Sequence, residues 1–355
     1  MSLPTLDVWR ILDAAANRAG EGLRVIEEFA RFALNDGHLS RILKEARHEL
    51  CAVLTVLPER DRLAARDTLG DVGTSIGTPA EYERGTTLDV VRASFKRVQE
   101  ALRTLEEYGK LVPLPNDAPA LPQRLEQLRY RIYTAEKAVL RTASGRNDLE
   151  QCHLYLLVTA AACAAGFEMT VRNALAAGVR IIQLREKSLP DRDLVSQARF
   201  LRLLTAEAGA LLIINDRPDI AVLANADGVH VGQDELAVRD ARHIVGPDRL
   251  IGVSTHSIEQ ARQAVLDGAD YLGVGPTFPS GTKSFEQFAG LEFVRQVASE
   301  ISLPWFAIGG IDESNLESTL AAGATRIAVS GVICRATDVA ATTASLQRRL
   351  RPFGR

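Results

Sequence analysis

The sequence predicts an α/β protein in which a (β/α)8 TIM barrel follows an all-α N-terminal domain. From about residue 153 onward, eight short apolar runs follow one another, each ending in small or polar residues, with helix-like segments between them. Eight such units in roughly 200 residues match the count and size of a compact closed barrel. Up to about residue 145, by contrast, apolar residues recur at the spacing of amphipathic helices.

The eight apolar runs are the predicted strands of the barrel. They are Leu154–Thr159, Arg180–Glu186, Leu211–Asp216, Gly228–Gln233, Leu250–Ser254, Tyr271–Pro276, Trp305–Gly310 and Arg326–Ile333. A doubly wound sheet is the alternative arrangement of such units. Polar chemistry at almost every strand end favours the closed barrel, because all eight carboxyl ends then face one mouth.

Length and composition set the limits of the prediction. A chain of 355 residues is long enough for two domains, which we place at residues 1–148 and 149–355. The net charge of −3 gives no general reason to expect nucleic-acid binding, and no apolar run is long enough to cross a membrane. Four scattered cysteines without metal-site spacing indicate buried, reduced thiols in a cytoplasmic protein.

The N-terminal half contains an internal repeat. Residues 18–31 (RAGEGLRVIEEFAR) align without a gap to residues 97–110 (RVQEALRTLEEYGK). The favoured interpretation is a duplicated helical hairpin with a solvated charged face, carrying the i,i+4 pairs Glu27–Arg31 and Glu106–Lys110. Alternatively, the two charged faces meet across a pseudo-twofold axis and form a polar pocket. Residues 144–148 (SGRND) indicate a break or linker before the second half.

The strand ends carry groups suited to binding anions. The second run supplies Gln183, Arg185 and, just after its end, Lys187, and Lys283 lies in a loop after the sixth run. Three cations exceed the needs of a monophosphate and indicate a diphosphate as well. The glycine turn at 309–310 and the Ser330-Gly331 pair expose backbone N–H groups, where this fold commonly binds phosphate.

Two acidic positions are candidates for a Mg²⁺ site, because this hard ion combines carboxylates with phosphate oxygens. Asp216 ends the third run, and Glu235 or Asp234 follows the fourth. Each signal also has a simpler interpretation. Asn215 and Asp216 would cap the next helix, the glycine pair would be an ordinary turn, and His230 would be a hydrogen-bonded interior residue.

The second half, residues 153–345, resembles thiamine-phosphate synthase. The resemblance rests on motifs that occur in the family's order: QLREK at 183–187, IND at 214–216, GVHVGQ at 228–233, GVS at 252–254, GPTFPSGTK at 275–283 and IGGI at 308–311. This family condenses a hydroxymethylpyrimidine diphosphate with a thiazole phosphate, giving thiamine phosphate and diphosphate. The resemblance therefore implies a cytoplasmic transferase with these two small-molecule substrates and Mg²⁺.

The resemblance also implies roles for individual residues. Arg185, Lys187 and Lys283 are expected to be catalytic, and Asp216 and Glu235 to bind the metal. Substrate contacts are expected from Gln183, Leu184, Arg185, Glu186, Lys187, Asn215, Ser254, Ser280, Thr282, Lys283, Gly310, Ser330 and Gly331. At 235 this chain has Glu where the family usually has Asp, and Asp234 precedes it, so either carboxylate is within reach of the metal.

The N-terminal half resembles the helical extension that is fused to this synthase in some bacteria, through RAGEGLRVIEE at 18–28 and ARDT at 65–68. That family has been linked to phosphorylation of the pyrimidine phosphate, yet the sequence contains no GxxxxGK[ST] loop. Two other functions compete with the synthase. One is a thiazole tautomerase on a related barrel, which would not need the three cations or a metal. The other is a non-catalytic sensor of thiamine phosphate.

Overall fold

The computed structural model describes residues 6–76, 83–113, 121–279 and 288–350. The chain forms two compact units, Met1–Leu140 and Arg141–Arg355. No helix in the described ranges has both the length and the apolar character needed to cross a membrane.

Within the described residues, the regular secondary structure of the first unit is all helical. Its helices are α1 (Leu6–Glu28), α2 (Gly37–Leu54), α3 (Glu59–Ala65), α4 (Thr87–Gly109) and the first part of α5 (Leu121–Asp148). α1 packs against α4 so closely that a Cβ on Gly22 would lie 2.6 Å from Cγ2 of Val98. Thr86 begins α4 with a capping box, in which Thr86 and Asp89 each bind the other's backbone N–H.

The repeat predicted from the sequence forms equivalent turns of α1 and α4, but its charged face is not fully solvated. Glu27 and Glu106, equivalent in the repeat, are both buried. The predicted i,i+4 pairs are wrong for these two residues. α1 gives way to a π-helical turn at Phe29–Ala33, and α4 ends at Gly109, so regular helical spacing does not reach the expected partners.

Each buried glutamate is instead paired with two arginines, one on its own helix and one on the next long helix. Glu27 contacts Arg24 at 3.8 Å and Arg47 of α2 at 2.8 Å. Glu106 contacts Arg103 at 2.7 Å and Arg129 of α5 at 3.1 Å. The duplication therefore includes the buried ion pairs as well as the helices.

The predicted break at residues 144–148 is wrong, because α5 continues through Asp148. Gly145 suggested a linker, but its position is explained by close packing within the second unit. A Cβ at 145 would lie 2.9 Å from the carbonyl oxygen of Asp270. Here the glycine provides space within a helix and does not end it.

The second unit is a closed barrel of eight parallel strands in sequential order, which confirms the predicted fold. The strands are β1 (Leu154–Val158), β2 (Ile181–Leu184), β3 (Leu211–Asn215), β4 (Gly228–Val231), β5 (Leu250–Thr255), β6 (Tyr271–Val274), β7 (Trp305–Ile308) and β8 (Ile327–Val329). Every strand lies within the predicted run or within one residue of it. The last run was predicted too long, because a short helix begins at Gly331.

Helices cover the outside of the barrel. They are α6 (Phe167–Ala176), α7 (Asp191–Glu207), α8 (Pro218–Leu223), α9 (Val238–Val245), α10 (Ile258–Asp267), α11 (Gly290–Glu300), α12 (Leu316–Ala321), α13 (Gly331–Cys334) and α14 (Val339–Leu350). A buried apolar layer fills the interior beneath the mouth, including Tyr155, Ile213, Tyr271 and Phe306. This layer is the floor of the site.

Candidate active site

A cavity of about 550 Å³ opens at the carboxyl ends of the barrel strands. Ten of the predicted site residues line it: Gln183, Arg185, Lys187, Asn215, Asp216, Glu235, Ser254, Gly310, Ser330 and Gly331. The barrel thus brings together residues that are up to 148 positions apart in the sequence, from 183 to 331. A mouth of this kind is where enzymes of this fold carry out their chemistry.

The end of β2 supplies a polar group on the floor and two cations above it. Gln183 is only 2 % exposed, whereas the side chain of Lys187 is 54 % exposed. Lys187 Nζ lies 3.3 Å from Oδ2 of Asp216. Among the described residues, no carboxylate is within ion-pair distance of Arg185, so its guanidinium is available to an anion.

Two predicted substrate contacts on this segment do not line the cavity. Leu184 is buried, and strand alternation places its side chain on the face opposite to that of Gln183. Glu186 accepts the backbone N–H of Ala160 at 2.5 Å. Its carboxylate therefore joins the loops that follow β1 and β2.

Asp216 adopts a left-handed conformation, with φ of 60°. Such a backbone is uncommon for a non-glycine residue and is concentrated at functional sites. Its N–H bonds to the carbonyl of His230 at 2.8 Å, and its carboxylate accepts Nδ2 of Asn215 at 2.6 Å. The interpretation of Asp216 as a helix cap is wrong, because α8 begins after Arg217 without a side-chain cap.

Five side chains form a continuous hydrogen-bonded chain across the floor of the cavity. Gln183 Nε2 bonds to the Tyr155 hydroxyl at 2.8 Å, which bonds to the Tyr271 hydroxyl at 2.9 Å. Tyr271 bonds to Nδ1 of His230 at 3.2 Å, and Nε2 of His230 bonds to Oγ of Ser254 at 3.0 Å. His230 is therefore an interior residue with a partner at each nitrogen, as the simpler interpretation holds.

Burial keeps the middle of this chain uncharged. Removal from water lowers the pKa of His230 to about 4 and raises the pKa of Tyr155 and of Tyr271 above the ordinary value. At neutral pH all three are neutral, and each has a single proton to donate.

The glycine pair after β7 supports the loop that follows β6. Gly309 and Gly310 have φ of 101° and 63°, and residues other than glycine rarely adopt such positive values. A Cβ on Gly310 would lie 2.5 Å from the carbonyl oxygen of Pro279. The carbonyl of Gly309 accepts the N–H of Phe278 at 3.0 Å. Three predicted site residues farther along this loop lie outside the described residues: Ser280, Thr282 and Lys283.

The end of β8 adds a cation that the sequence analysis did not identify. Ser330 and Gly331 line the cavity together with Arg335. A Cβ on Gly331 would lie 3.7 Å from Nε of Arg335. No motif marked Arg335, although its position four residues after Gly331 in a helix would have placed it on the same side. Tyr155 and Tyr271 were also missed, because they lie within apolar runs.

The cysteines differ from the prediction in exposure. All four are free, but only Cys152 and Cys334 are buried, whereas Cys51 is exposed. The prediction of four buried thiols is therefore wrong. A hydrogen bond with Cys334 lowers the pKa of Cys163 to about 7.

Comparison with known proteins identifies both halves of the chain. The thiamine monophosphate synthase family matches residues 154–333, and the ThiD2 family matches residues 10–138. The ThiD2 match agrees with the predicted resemblance of the N-terminal half to the fused helical extension.

Curated relatives extend over both halves. The chain is 47% identical over 346 residues to the thiamine-phosphate synthase of Gloeobacter violaceus, covering 97% of each chain. It is 45% identical over 335 residues to that of Rhodopirellula baltica, covering 92% of this chain and 88% of the relative. Among solved structures, the thiamine phosphate pyrophosphorylase of Pyrococcus furiosus matches with a TM-score of 0.52 and 34% identity. That match covers 59% of this chain and 97% of the other.

These matches agree with the motifs at the strand ends and with the barrel that gathers them at one mouth. The chain belongs to the thiamine-phosphate synthase family and is a transferase of thiamine biosynthesis.

Proposed function

We propose that the barrel joins hydroxymethylpyrimidine diphosphate to a thiazole monophosphate, giving thiamine phosphate and diphosphate. The observation that carries this proposal is the shared cavity, which neutral hydrogen-bonded side chains line together with the cations Arg185, Lys187 and Arg335. The floor suits an uncharged base, and the cations suit two phosphorylated ends. A thiazole tautomerase would have no need of this many charges.

The charges support departure of the diphosphate. The bond between the pyrimidine methylene carbon and the diphosphate oxygen breaks, and its electron pair leaves with the diphosphate. Arg185 and Lys187 stabilise the charge that develops on this oxygen. The electron-rich aminopyrimidine stabilises the remaining cation, and the lone pair of the thiazole nitrogen forms the new bond to carbon. The protein contributes positioning and electrostatics, with no covalent intermediate on a side chain.

The residues present fit a Mg²⁺ ion. Asp216 and Glu235 both line the cavity, as does Asp234. Within the described ranges there is no group of three or more possible metal ligands, so substrate oxygens and water would complete the coordination. This is the arrangement that Mg²⁺ favours, with one or two carboxylates plus phosphate oxygens. When bound, the ion neutralises diphosphate charge, and we assign Asp216 and Glu235 as the residues that hold it.

The thiazole phosphate is assigned to another part of the mouth, at the ends of β7 and β8. Backbone N–H groups at Gly310, Ser330 and Gly331 suit a phosphate, and Arg335 adds a charge beside them. Ser280 and Thr282 remain predicted phosphate contacts, and Lys283 a predicted diphosphate contact.

Free cysteines support the proposed cytoplasmic location, because oxidising compartments favour disulfides.

The test is to incubate the purified protein with both substrates and Mg²⁺ and to quantify thiamine phosphate and diphosphate. Equal amounts of the two products are expected, and a chelator should abolish them. Asp216→Asn should lower turnover at least about tenfold and raise the Mg²⁺ concentration for half-maximal rate. Asp219→Asn is the matched control, because Asp219 pairs with Arg217 and does not line the cavity. Binding of thiamine phosphate without turnover would instead support a sensor.

For the helical unit we propose phosphorylation of the pyrimidine monophosphate, which would supply the barrel's substrate. The match to the ThiD2 family over residues 10–138 supports this second function. The same assay tests it when ATP and the pyrimidine monophosphate replace the diphosphate. Thiamine phosphate should then form only when ATP is present. If neither ADP nor thiamine phosphate forms, the kinase proposal is contradicted.

A further inference from the structure

We infer that Tyr155, Tyr271 and His230 are positioning residues that fix which hydrogen-bonding groups Gln183 and Ser254 present to the base of the pyrimidine substrate. This inference rests on the proposed function, which places the base on the cavity floor. It extends that function by assigning the base specificity to residues that act through their neighbours.

The two tyrosines of the hydrogen-bonded chain are isolated from water. Tyr155 is 2 % exposed and Tyr271 is 0 % exposed. Their rings pack against Phe306 with centroids 5.0 Å and 5.8 Å apart. A buried hydroxyl without a partner is destabilising. Each phenol must therefore use its one proton within the chain.

The number of protons in the chain fixes the direction in which each of its hydrogen bonds is donated. Each of the three middle groups takes part in two hydrogen bonds and has one proton, so each donates once and accepts once. Because Gln183 donates from Nε2 to Tyr155, Tyr155 must donate to Tyr271, and Tyr271 to Nδ1 of His230. The proton of His230 then lies on Nε2 and is donated to Oγ of Ser254.

The two ends consequently present opposite chemistry to the cavity. Ser254 accepts from His230, so its own hydroxyl proton is free to be donated to a ligand. Gln183 uses an N–H on Tyr155, so its carbonyl oxygen Oε1 is free to accept. An aminopyrimidine offers the complementary pair, an amino donor and a ring-nitrogen acceptor. An analogue with an oxo group in place of the amino group offers the reverse, a carbonyl acceptor beside a ring N–H.

The backbone around the chain is shaped to hold it. A Cβ on Gly252 would lie 2.1 Å from Cζ of Tyr271 and 2.4 Å from Nδ1 of His230. Gly252 therefore leaves the space in which these two side chains meet. Gln233 also donates to the carbonyl of Ser254 at 2.5 Å, which fixes the backbone at the far end.

The experiment measures binding of the aminopyrimidine diphosphate and of its oxo analogue by titration calorimetry. The proteins are the wild type, Tyr155→Phe and Tyr271→Phe. Each variant keeps the ring and removes one hydroxyl, and with it two of the four hydrogen bonds. We expect the aminopyrimidine to bind about tenfold more weakly to both variants and the preference over the oxo analogue to fall by a similar factor. The KM for thiazole phosphate should change less than twofold.

Ile181→Val is the matched control, because Ile181 belongs to the same buried core cluster as both tyrosines, does not line the cavity and takes no part in the four hydrogen bonds. It should lower the melting temperature and keep the preference for the amino compound. An unchanged preference in both tyrosine variants would overturn the inference, as would an equal loss of preference in Ile181→Val. Failure of the proposed function is distinct: the wild type would then bind the aminopyrimidine selectively and form no thiamine phosphate.

Discussion

The helical unit and the mouth of the barrel both bury polar groups, but they satisfy them in different ways. In the helical unit, the buried carboxylates of Asp13, Glu27 and Glu106 are paired with arginines. Glu106 lies between Arg103 and Arg129, and Asp13 receives two hydrogen bonds from Arg66. At the mouth the buried groups are neutral and form an open chain from Gln183 to Ser254.

The difference separates structural polar groups from those available to a ligand. A carboxylate enclosed by arginines has its bonding capacity filled by the protein itself, and breaking such a buried pair is strongly destabilising. The neutral chain ends on two groups that retain a free donor and a free acceptor. The buried ion pairs of the first unit therefore hold its helices together, whereas the neutral chain of the barrel leaves a donor and an acceptor for a ligand.

The largest expected effect comes from breaking a buried pair in the helical unit. Glu106→Gln keeps the shape of the side chain and leaves Arg129, whose side chain is 9% exposed, without its counter-charge. We expect the free energy of unfolding of this unit to fall by about 3 to 5 kcal/mol.

The two tryptophans allow the measurement to be made on one unit. Trp9 lies in α1 and Trp305 in β7. In a Trp305→Phe background, urea unfolding followed by fluorescence reports on Trp9 alone. A loss below about 1 kcal/mol would mean that the pair is effectively solvated, which would remove the contrast with the barrel.

The neutral hydrogen-bonded chain should make the stability of the barrel depend on pH. Burial lowers the pKa of folded His230 to about 4, whereas an unfolded histidine titrates near 6.5. Below pH 6.5 the unfolded state takes up a proton that the folded state takes up only near pH 4. Stability from this group is thus fully present above pH 6.5 and declines as the pH falls toward 4, by about 3 kcal/mol in total.

This loss is measured as a difference between the wild type and His230→Gln, both in a Trp9→Phe background that reports on Trp305. The carboxylates contribute equally to both proteins and cancel. If the two proteins lose stability in parallel between pH 7 and pH 5, His230 is not held neutral, and the assignment of its single proton fails.

The sequence was sufficient to predict the barrel and most of the mouth. Eight apolar runs with polar ends define parallel strands and, through closure, a common face for Gln183, Asp216 and Ser254. Residue type alone identified these groups, because charged and amide side chains at strand ends are easily recognised. The roles of Gly309 and Gly310 in supporting a neighbouring loop depend on close contacts that only the three-dimensional structure shows.

The sequence was not sufficient to predict how buried groups are paired. Tyr155 and Tyr271 appear in apolar runs as core residues, and their contact joins positions 116 residues apart. Glu27 and Glu106 carry the signature of surface helix pairs, but each is buried and has one of its two arginine partners on another helix. Gly145 resembles a linker residue and instead provides packing space within a helix. In each case the decisive contact is distant in sequence, beyond the reach of local periodicity.

The smallest expected effect compares the two copies of the repeat. Glu27 is as buried as Glu106, but its partner Arg47 has a side chain that is 25% exposed, against 9% for Arg129. Water can therefore solvate Arg47 after the glutamate is neutralised, and Glu27→Gln should destabilise the unit by about 1 to 2 kcal/mol.

Glu107→Gln, with a side chain 42% exposed, is the surface control and should change stability by about 0.5 kcal/mol or less. The same Trp9 fluorescence assay ranks all three variants. Equal losses for Glu27→Gln and Glu106→Gln would show that exposure of the arginine does not set the strength of the pair, and the repeat would then be symmetric in energy as well as in sequence.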